Sequence, residues 1–221
     1  MLLIFDVNET LLDLAPLDDL VAAVVGAQPG DQRPRREWFD RMIRSALTLT
    51  AAGEYVPFGA LAGAALRDLA AEHGLTASAD HVDALAAGIR NLPAHPEVVP
   101  ALERLRADGH RLVALTNSVL EVAEQQLAAS GLRDLVAGVY SADQVRRLKP
   151  APEPYTLVLE QEQATTATLV AAHDWDVAGA AAAGLDTAFV ARGGRRPFSA
   201  IAAPTYQVSD LGRLAEELDA G

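Results

Sequence analysis

The stretch Leu2-Leu3-Ile4-Phe5-Asp6-Val7-Asn8-Glu9-Thr10 decides the reading of this chain. Four apolar residues in a row, closed by a polar cluster, predict a strand buried on both faces, as in a parallel sheet. Asp6 then falls at the carboxyl end of that strand, where open α/β sheets bind ligands. The pattern recurs downstream. Leu112–Leu115 runs into Thr116-Asn117-Ser118, Gly138–Tyr140 is a short third strand, Leu169–Ala172 runs into His173-Asp174-Trp175-Asp176, and Thr187–Val190 is a fifth. Helical segments lie between them. One covers 98–107 with Asp108-Gly109 as its C-cap, one ends near Ala129, and one covers 152–163 with proline in its first turn. Two more cover 177–183 and 211–218. Strand, polar loop and helix in repetition predict a doubly wound parallel-sheet α/β fold.

Between the first and second strands the periodicity is helical only. Leu17, Leu20, Val21 and Val24 share a face, as do Trp38, Met42, Ile43 and Leu47, then Leu61, Ala65, Leu66 and Leu69, then Val82, Leu85 and Ile89. Gln28–Pro34 reads as a loop from its proline and glycine. This predicts a core domain of residues 1–13 and 93–221 with an all-helical cap, 14–92, inserted after the first strand.

Composition narrows the function. Half of the 221 residues are hydrophobic and 22% are charged, as in globular proteins. The net charge of −12 repels phosphate backbones, so no nucleic-acid partner is expected. No apolar run approaches the roughly 20 residues of a membrane span, so no membrane partner is expected. Met1–Asp6 lacks the basic start of a signal peptide. Without cysteine there are no disulfides or thiolate sites, which fits a cytoplasmic location. Of 18 basic residues only Lys149 is a lysine. Its uniqueness suggests a place that needs a compact ammonium, with drift as the plain alternative.

The four polar loops, in order, resemble the motifs of the haloacid dehalogenase superfamily. They are Asp6-Val7-Asn8-Glu9-Thr10, Leu115-Thr116-Asn117, Lys149-Pro150 and Ala172-His173-Asp174-Trp175-Asp176. The resemblance spans essentially the whole chain. It implies Asp6 as nucleophile, Thr10 as its anchor, Lys149 as the cation that keeps Asp6 ionised, and Thr116 and Asn117 as substrate-orienting groups.

Most members of that superfamily are Mg²⁺-dependent phosphatases with a second acid two residues after the nucleophile. Asn8 stands there, and an amide cannot protonate a leaving alkoxide. The acid that would bind metal four residues before Asp176 is replaced by Ala172. The pattern looks closer to the type II (L-)2-haloacid dehalogenases, with Thr116-Asn117, Tyr155 after the lysine, and Trp175-Asp176 followed by Gly179. That resemblance implies a metal-independent hydrolase without a cofactor. It takes a short halogenated carboxylic acid through an aspartyl ester on Asp6 to a 2-hydroxy acid. His173 or Asp176 would activate water. It places Asn8, Phe39, Arg41, Thr116, Asn117, Tyr155 and Trp175 around the substrate, with Phe39 at the apparent position of the family's pocket arginine and Arg41 or Arg44 replacing it. Homodimers are common in such relatives.

Plainer readings stand beside these. Thr116-Asn117 can cap a helix, Asp174 can cap the helix after it, and Tyr155, Trp175 and Phe39 can simply pack. His173 can be a structural hydrogen-bonding group. The rival functions are a Mg-dependent small-metabolite phosphatase using Asp174 or Asp176, and a catalytically silent binding domain.

Overall fold

The computed structural model describes residues 1–219. Six strands form one parallel sheet in the order β3-β2-β1-β4-β5-β6. They are β1 (Leu2–Phe5), β2 (Arg111–Thr116), β3 (Gly138–Ser141), β4 (Thr168–Ala171), β5 (Asp186–Val190) and β6 (Tyr206–Val208). The strand order turns outward in both directions from β1, and that switch point opens a crevice at the carboxyl ends of β1, β2 and β4.

β1 is buried throughout because it serves two cores. Side chains alternate across a strand. Leu3 and Phe5 therefore join the large cluster that continues through Trp38, Met42 and Leu66, while Leu2 and Ile4 join a smaller one with Tyr155, Val158 and Val177. Each such side chain contributes about 1.5–3 kcal/mol by leaving water.

Five helices separate β1 from β2: α1 (Asp18–Val24), α2 (Arg33–Ala52), α3 (Phe58–Glu72), α4 (Ala79–Arg90) and α5 (Val98–Ala107). α2 packs on α1 and α3, and α4 closes against both of these. It buries Trp38, Phe39, Met42, Ile43 and Ala46 and ends at Gly53, whose φ of +79° suits glycine. The expected loop through Pro34 stops sooner. Pro34 sits in the first turn of α2, where its missing N–H would have no helical partner anyway.

After β2 come α6 (Leu120–Ala129), α7 (Pro152–Gln161), α8 (Asp174–Ala182) and α9 (Leu211–Asp219). The five strands expected from sequence are present. β6 is an addition, a three-residue strand at the sheet edge. α8 begins three residues before the expected start, at Asp174 itself, with His173 in the N-cap position. Asp174 is thus the first helical residue rather than the cap, and its Oδ1 accepts the Trp175 N–H at 2.8 Å. Among the described residues no helix is long and apolar enough to cross a membrane.

Candidate active site

Asp6 follows β1 directly, and its own N–H still pairs with Val170 O at 3.0 Å, so the sheet holds its backbone. Both carboxylate oxygens are engaged. Oδ1 accepts from Lys149 Nζ at 2.8 Å and Oδ2 from Thr10 Oγ1 at 2.7 Å. The Thr10 hydroxyl in turn accepts the Ala172 N–H at 2.9 Å, which ties the first loop to the end of β4.

Lys149 arrives from the segment between β3 and α7 and is 1% exposed. Its three protons have three acceptors: Asp6, Asp176 Oδ2 at 2.6 Å and Leu115 O at 3.1 Å. Asn117 positions it by accepting the Lys149 N–H on Oδ1 at 2.8 Å. Asp176, one turn into α8, takes the Tyr155 hydroxyl on Oδ1 at 2.6 Å. α8 approaches this close because residue 179 is glycine. A Cβ there would stand 2.5 Å from Pro150 Cβ and 2.7 Å from the Tyr155 hydroxyl oxygen.

The cluster therefore holds two carboxylates and one ammonium in a buried space. Burial opposes the charge on Asp6, but the Lys149 ammonium and the Thr10 hydrogen bond outweigh it and keep its carboxyl below the usual range. Asp176 goes the other way. Burial, reinforced by the charge on Asp6, raises it despite Lys149 and Tyr155. Burial also opposes the charge of Lys149, yet the two carboxylates raise its pKa above the ordinary value. At neutral pH the site holds an ionised, poorly solvated carboxylate, which is what an aspartyl nucleophile requires.

His173 lies between Phe39 and Trp175, with ring centroids 5.4 Å and 5.2 Å away and interplanar angles of 22° and 18°. Its Nε2 faces Asn8 O at 3.2 Å, an atom that can only accept, so Nε2 carries a proton. Nδ1 faces the Arg195 guanidinium at 3.5 Å. Nε2 stands 3.9 Å from Asp6 Oδ2.

A model of haloacid dehalogenase-like hydrolases matches residues 1–184. The chain belongs to that family. It is 27% identical over 213 residues to an (S)-2-haloacid dehalogenase 4A of Burkholderia cepacia, covering 96% of this chain and 91% of that one. It is 27% identical to the (S)-2-haloacid dehalogenase H-109 of Pseudomonas putida, over 98% and 96% of the two chains. The crystal structure of the L-2-haloacid dehalogenase RSc1362 superposes with a TM-score of 0.91 at 28% identity, over 98% of this chain and 97% of that one.

In this haloacid dehalogenase-like hydrolase, a cavity of about 200 Å³ lies between α2, α3, α4 and the loops after β1 and β2. Asn8 and Ser118 bound it on the sheet side, and Trp38, Phe39, Met42 and Phe58 on the helical side. A wider cleft of about 640 Å³ opens beyond the His173 stack, with Arg44, Arg195 and Arg196 on its walls.

Several expected substrate contacts are placed elsewhere. Arg41 turns toward α3, pairing with Glu72 and lying 3.8 Å from Glu37, and it lines neither the cavity nor the cleft. Tyr155 is fully buried and holds Asp176 rather than reaching a ligand. Thr116 and Asn117 do not cap a helix, since α6 starts at Leu120 behind Val119. The Thr116 hydroxyl instead accepts the Ser118 N–H at 3.1 Å and shapes the loop. Asn117 Nδ2 is left buried without a hydrogen-bond partner. Phe39 lines both cavities and Trp175 the cleft, with Lys149 Nζ 5.9 Å from the Trp175 ring centre.

Other site residues had no sequence signal. Glu9, at φ +62°, is buried and paired with Arg35 at 3.1 Å and Arg195 at 2.8 Å. Gln126, fully buried on α6, donates from Nε2 to Asn8 Oδ1 at 3.0 Å and to Ile89 O at 2.8 Å.

The Mg²⁺ of other superfamily members does not fit these residues. Ala172 presents a methyl group, Asn8 is bound through its amide to Gln126, and both Asp176 oxygens are taken by Lys149 and Tyr155. Asp174 spends Oδ1 on the Trp175 N–H. Among the described residues no cluster of three or more His, Asp or Glu is arranged to hold a metal ion.

Proposed function

We propose that this protein hydrolyses short 2-haloalkanoic acids to 2-hydroxy acids, without metal, through an ester on Asp6. The observation that carries the reading is the Asp6–Lys149 pair at 2.8 Å, joined to Asp176, with an apolar cavity lined two residues on by Asn8 in place of an acid. The (S)-2-haloacid dehalogenases among its relatives support the substrate class.

In the first step an Asp6 oxygen attacks C2 of the substrate, and the carbon–halogen bond breaks with its electron pair leaving on the halide. The carbon inverts. The unpartnered Asn117 Nδ2 offers a buried donor to an anion, either the departing halide or the carboxylate. In the second step water attacks the Asp6 carboxyl carbon. Lys149 offsets the oxyanion charge as it forms. The Cγ–O bond to the substrate then breaks, the departing alkoxide takes back the proton that the base removed from water, and the carboxyl left at Asp6 ionises, which restores the carboxylate and releases the 2-hydroxy acid. We assign Asp176 as the base. It is the cluster's remaining carboxylate once Asp6 is esterified, and Lys149, drawn to the oxyanion, releases Asp176 Oδ2 to take the water proton, whereas Nε2 of His173 already carries a proton facing Asn8 O. His173, held between Phe39 and Trp175, closes the site above Asp6. In this reading residues 14–92 act as the cap over a 1–13 and 93–221 core, and the enzyme works in the cytoplasm.

The test is halide release from 2-chloropropionate and chloroacetate in excess EDTA, with Asp6→Asn as the blank. Release that survives EDTA and disappears in the variant is the expected result. Mg²⁺-dependent hydrolysis of phosphomonoesters with no halide release would replace this reading with the phosphatase.

A further inference from the structure

An anionic substrate needs a cation, and the cations near Asp6 are already committed. Lys149 has an acceptor for each of its protons. Arg35 holds Glu9 and Asp18, Arg195 holds Glu9, and Arg41 holds Glu72. The cavity beside Asn8 and Ser118 has one charged residue among its described lining, Arg90. Its neighbours there are neutral and mostly apolar, with no carboxylate among them.

Arg90 closes the last turn of α4 and is half-buried. Among the described residues its guanidinium has neither a salt-bridge nor a hydrogen-bond partner. Arg90 lines this cavity and the smaller one behind it, its guanidinium is reached by solvent and carries no carboxylate partner, and a substrate carboxylate would match its planar fork. The backbone that carries it is fixed with respect to the nucleophile loop. One atom, Gln126 Nε2, binds Asn8 Oδ1 at 3.0 Å and Ile89 O at 2.8 Å. The end of α4 is thereby held within about 6 Å of the Asn8 side chain, two residues from Asp6.

We propose that Arg90 binds the carboxylate of the substrate in this cavity, so that the anchoring cation comes from α4 and not from α2. The inference rests on the dehalogenase reading for the name of the substrate, but not for the anion site itself. Trp38, Phe39 and Phe58 then take the alkyl part of the acid, and Asn117 Nδ2 remains for the halide.

The experiment separates this site from the chemistry by using propionate, which has the carboxylate but no halogen. Trp38 lines the cavity and reports binding through its fluorescence. Titration of the unmodified protein with propionate gives the reference Kd. Arg90→Met, which keeps an unbranched stem, should weaken propionate about 10- to 100-fold, the range for losing one charge-assisted contact. Arg90→Lys should fall between. The KM for 2-chloropropionate should rise by a similar factor while kcat changes less. An unchanged thermal midpoint shows that Arg90→Met is folded. A propionate Kd within twofold of the reference would overturn the proposal. So would a loss confined to chloride binding, or no propionate binding by the unmodified protein. Weakened propionate binding in a protein that releases no halide would keep the site and discard the dehalogenase reading.

Discussion

Replacing Lys149 with methionine removes one charge from a space that holds two others. Lys149 lies 2.8 Å from Asp6 and 2.6 Å from Asp176 and is 1% exposed, so neither water nor another cation takes its place. At an effective dielectric constant of 20, each contact is worth about 6 kcal/mol of direct attraction. Desolvation of the three charges offsets much of that, and breaking a buried pair costs about 3–5 kcal/mol. If that loss falls on the transition state, kcat/KM drops by about two to four orders of magnitude. Stability responds with a definite sign. Without the ammonium the two carboxylates repel, and one of them takes up a proton with its folded pKa raised above the unfolded value. The stabilisation from that proton is complete below the unfolded pKa and is lost as pH rises through the folded one. Lys149→Met should therefore be more destabilised relative to the parent at pH 8 than at pH 5. Halide release and thermal unfolding at the two pH values measure both effects. Activity within tenfold of the parent, or a stability deficit independent of pH, would refute the argument.

The remaining predictions concern the same cluster. Gly179→Ala pushes a methyl group to 2.5 Å from Pro150 Cβ and should cost about 1–3 kcal/mol. Calorimetry should show a midpoint several degrees lower, at about 2–4 °C per kcal/mol for a chain of this size. Tyr155→Phe leaves Asp176 Oδ1 without its hydroxyl donor. Its kcat should fall with KM nearly unchanged, and equal falls in affinity would contradict the positioning role. In the proposed mechanism turnover needs Asp6 and Asp176 ionised and Lys149 protonated. Asp6 is lowered and Asp176 raised from the ordinary carboxylate range, so the acid limb of kcat, which contains the ester hydrolysis, should follow Asp176, with loss of rate as its carboxylate takes up a proton. The two carboxylates raise Lys149 above the ordinary lysine range, so its proton stays on through neutral pH. An acid limb displaced below the ordinary carboxylate range would exclude Asp176 as the base.

The centre of the sheet was legible because its strands are short, fully buried apolar runs ending in polar residues, as Leu2–Phe5 and Leu169–Ala171 show. β6 was not, because three residues at an edge carry no periodic signal. The start of α8 was misplaced because His173, Asp174 and Asp176 read as a loop, while in the structure they cap and open a helix. Asp6, Thr10, Lys149 and Asp176 come together as their strand-end positions suggested. What pattern alone did not reveal depends on packing between distant segments. Arg41 belongs to an amphipathic helix whose orientation is set by α3, so its pairing with Glu72 has no local cue. Glu9 is joined to Arg35 and Arg195 across 26 and 186 residues, and Gln126 reaches Asn8 across 118.

The central claim is that Asp6 becomes esterified, and isotope transfer tests it most directly. A single turnover of 2-chloropropionate with excess enzyme in ¹⁸O-water, followed by mass spectrometry of the Asp6 peptide and the product, follows the oxygen. Water that attacks the Asp6 carboxyl carbon leaves ¹⁸O in Asp6 and gives a 2-hydroxy acid whose new oxygen is unlabelled. A product labelled in that first turnover, with Asp6 unlabelled, would mean that water attacks the substrate carbon directly and would contradict the account.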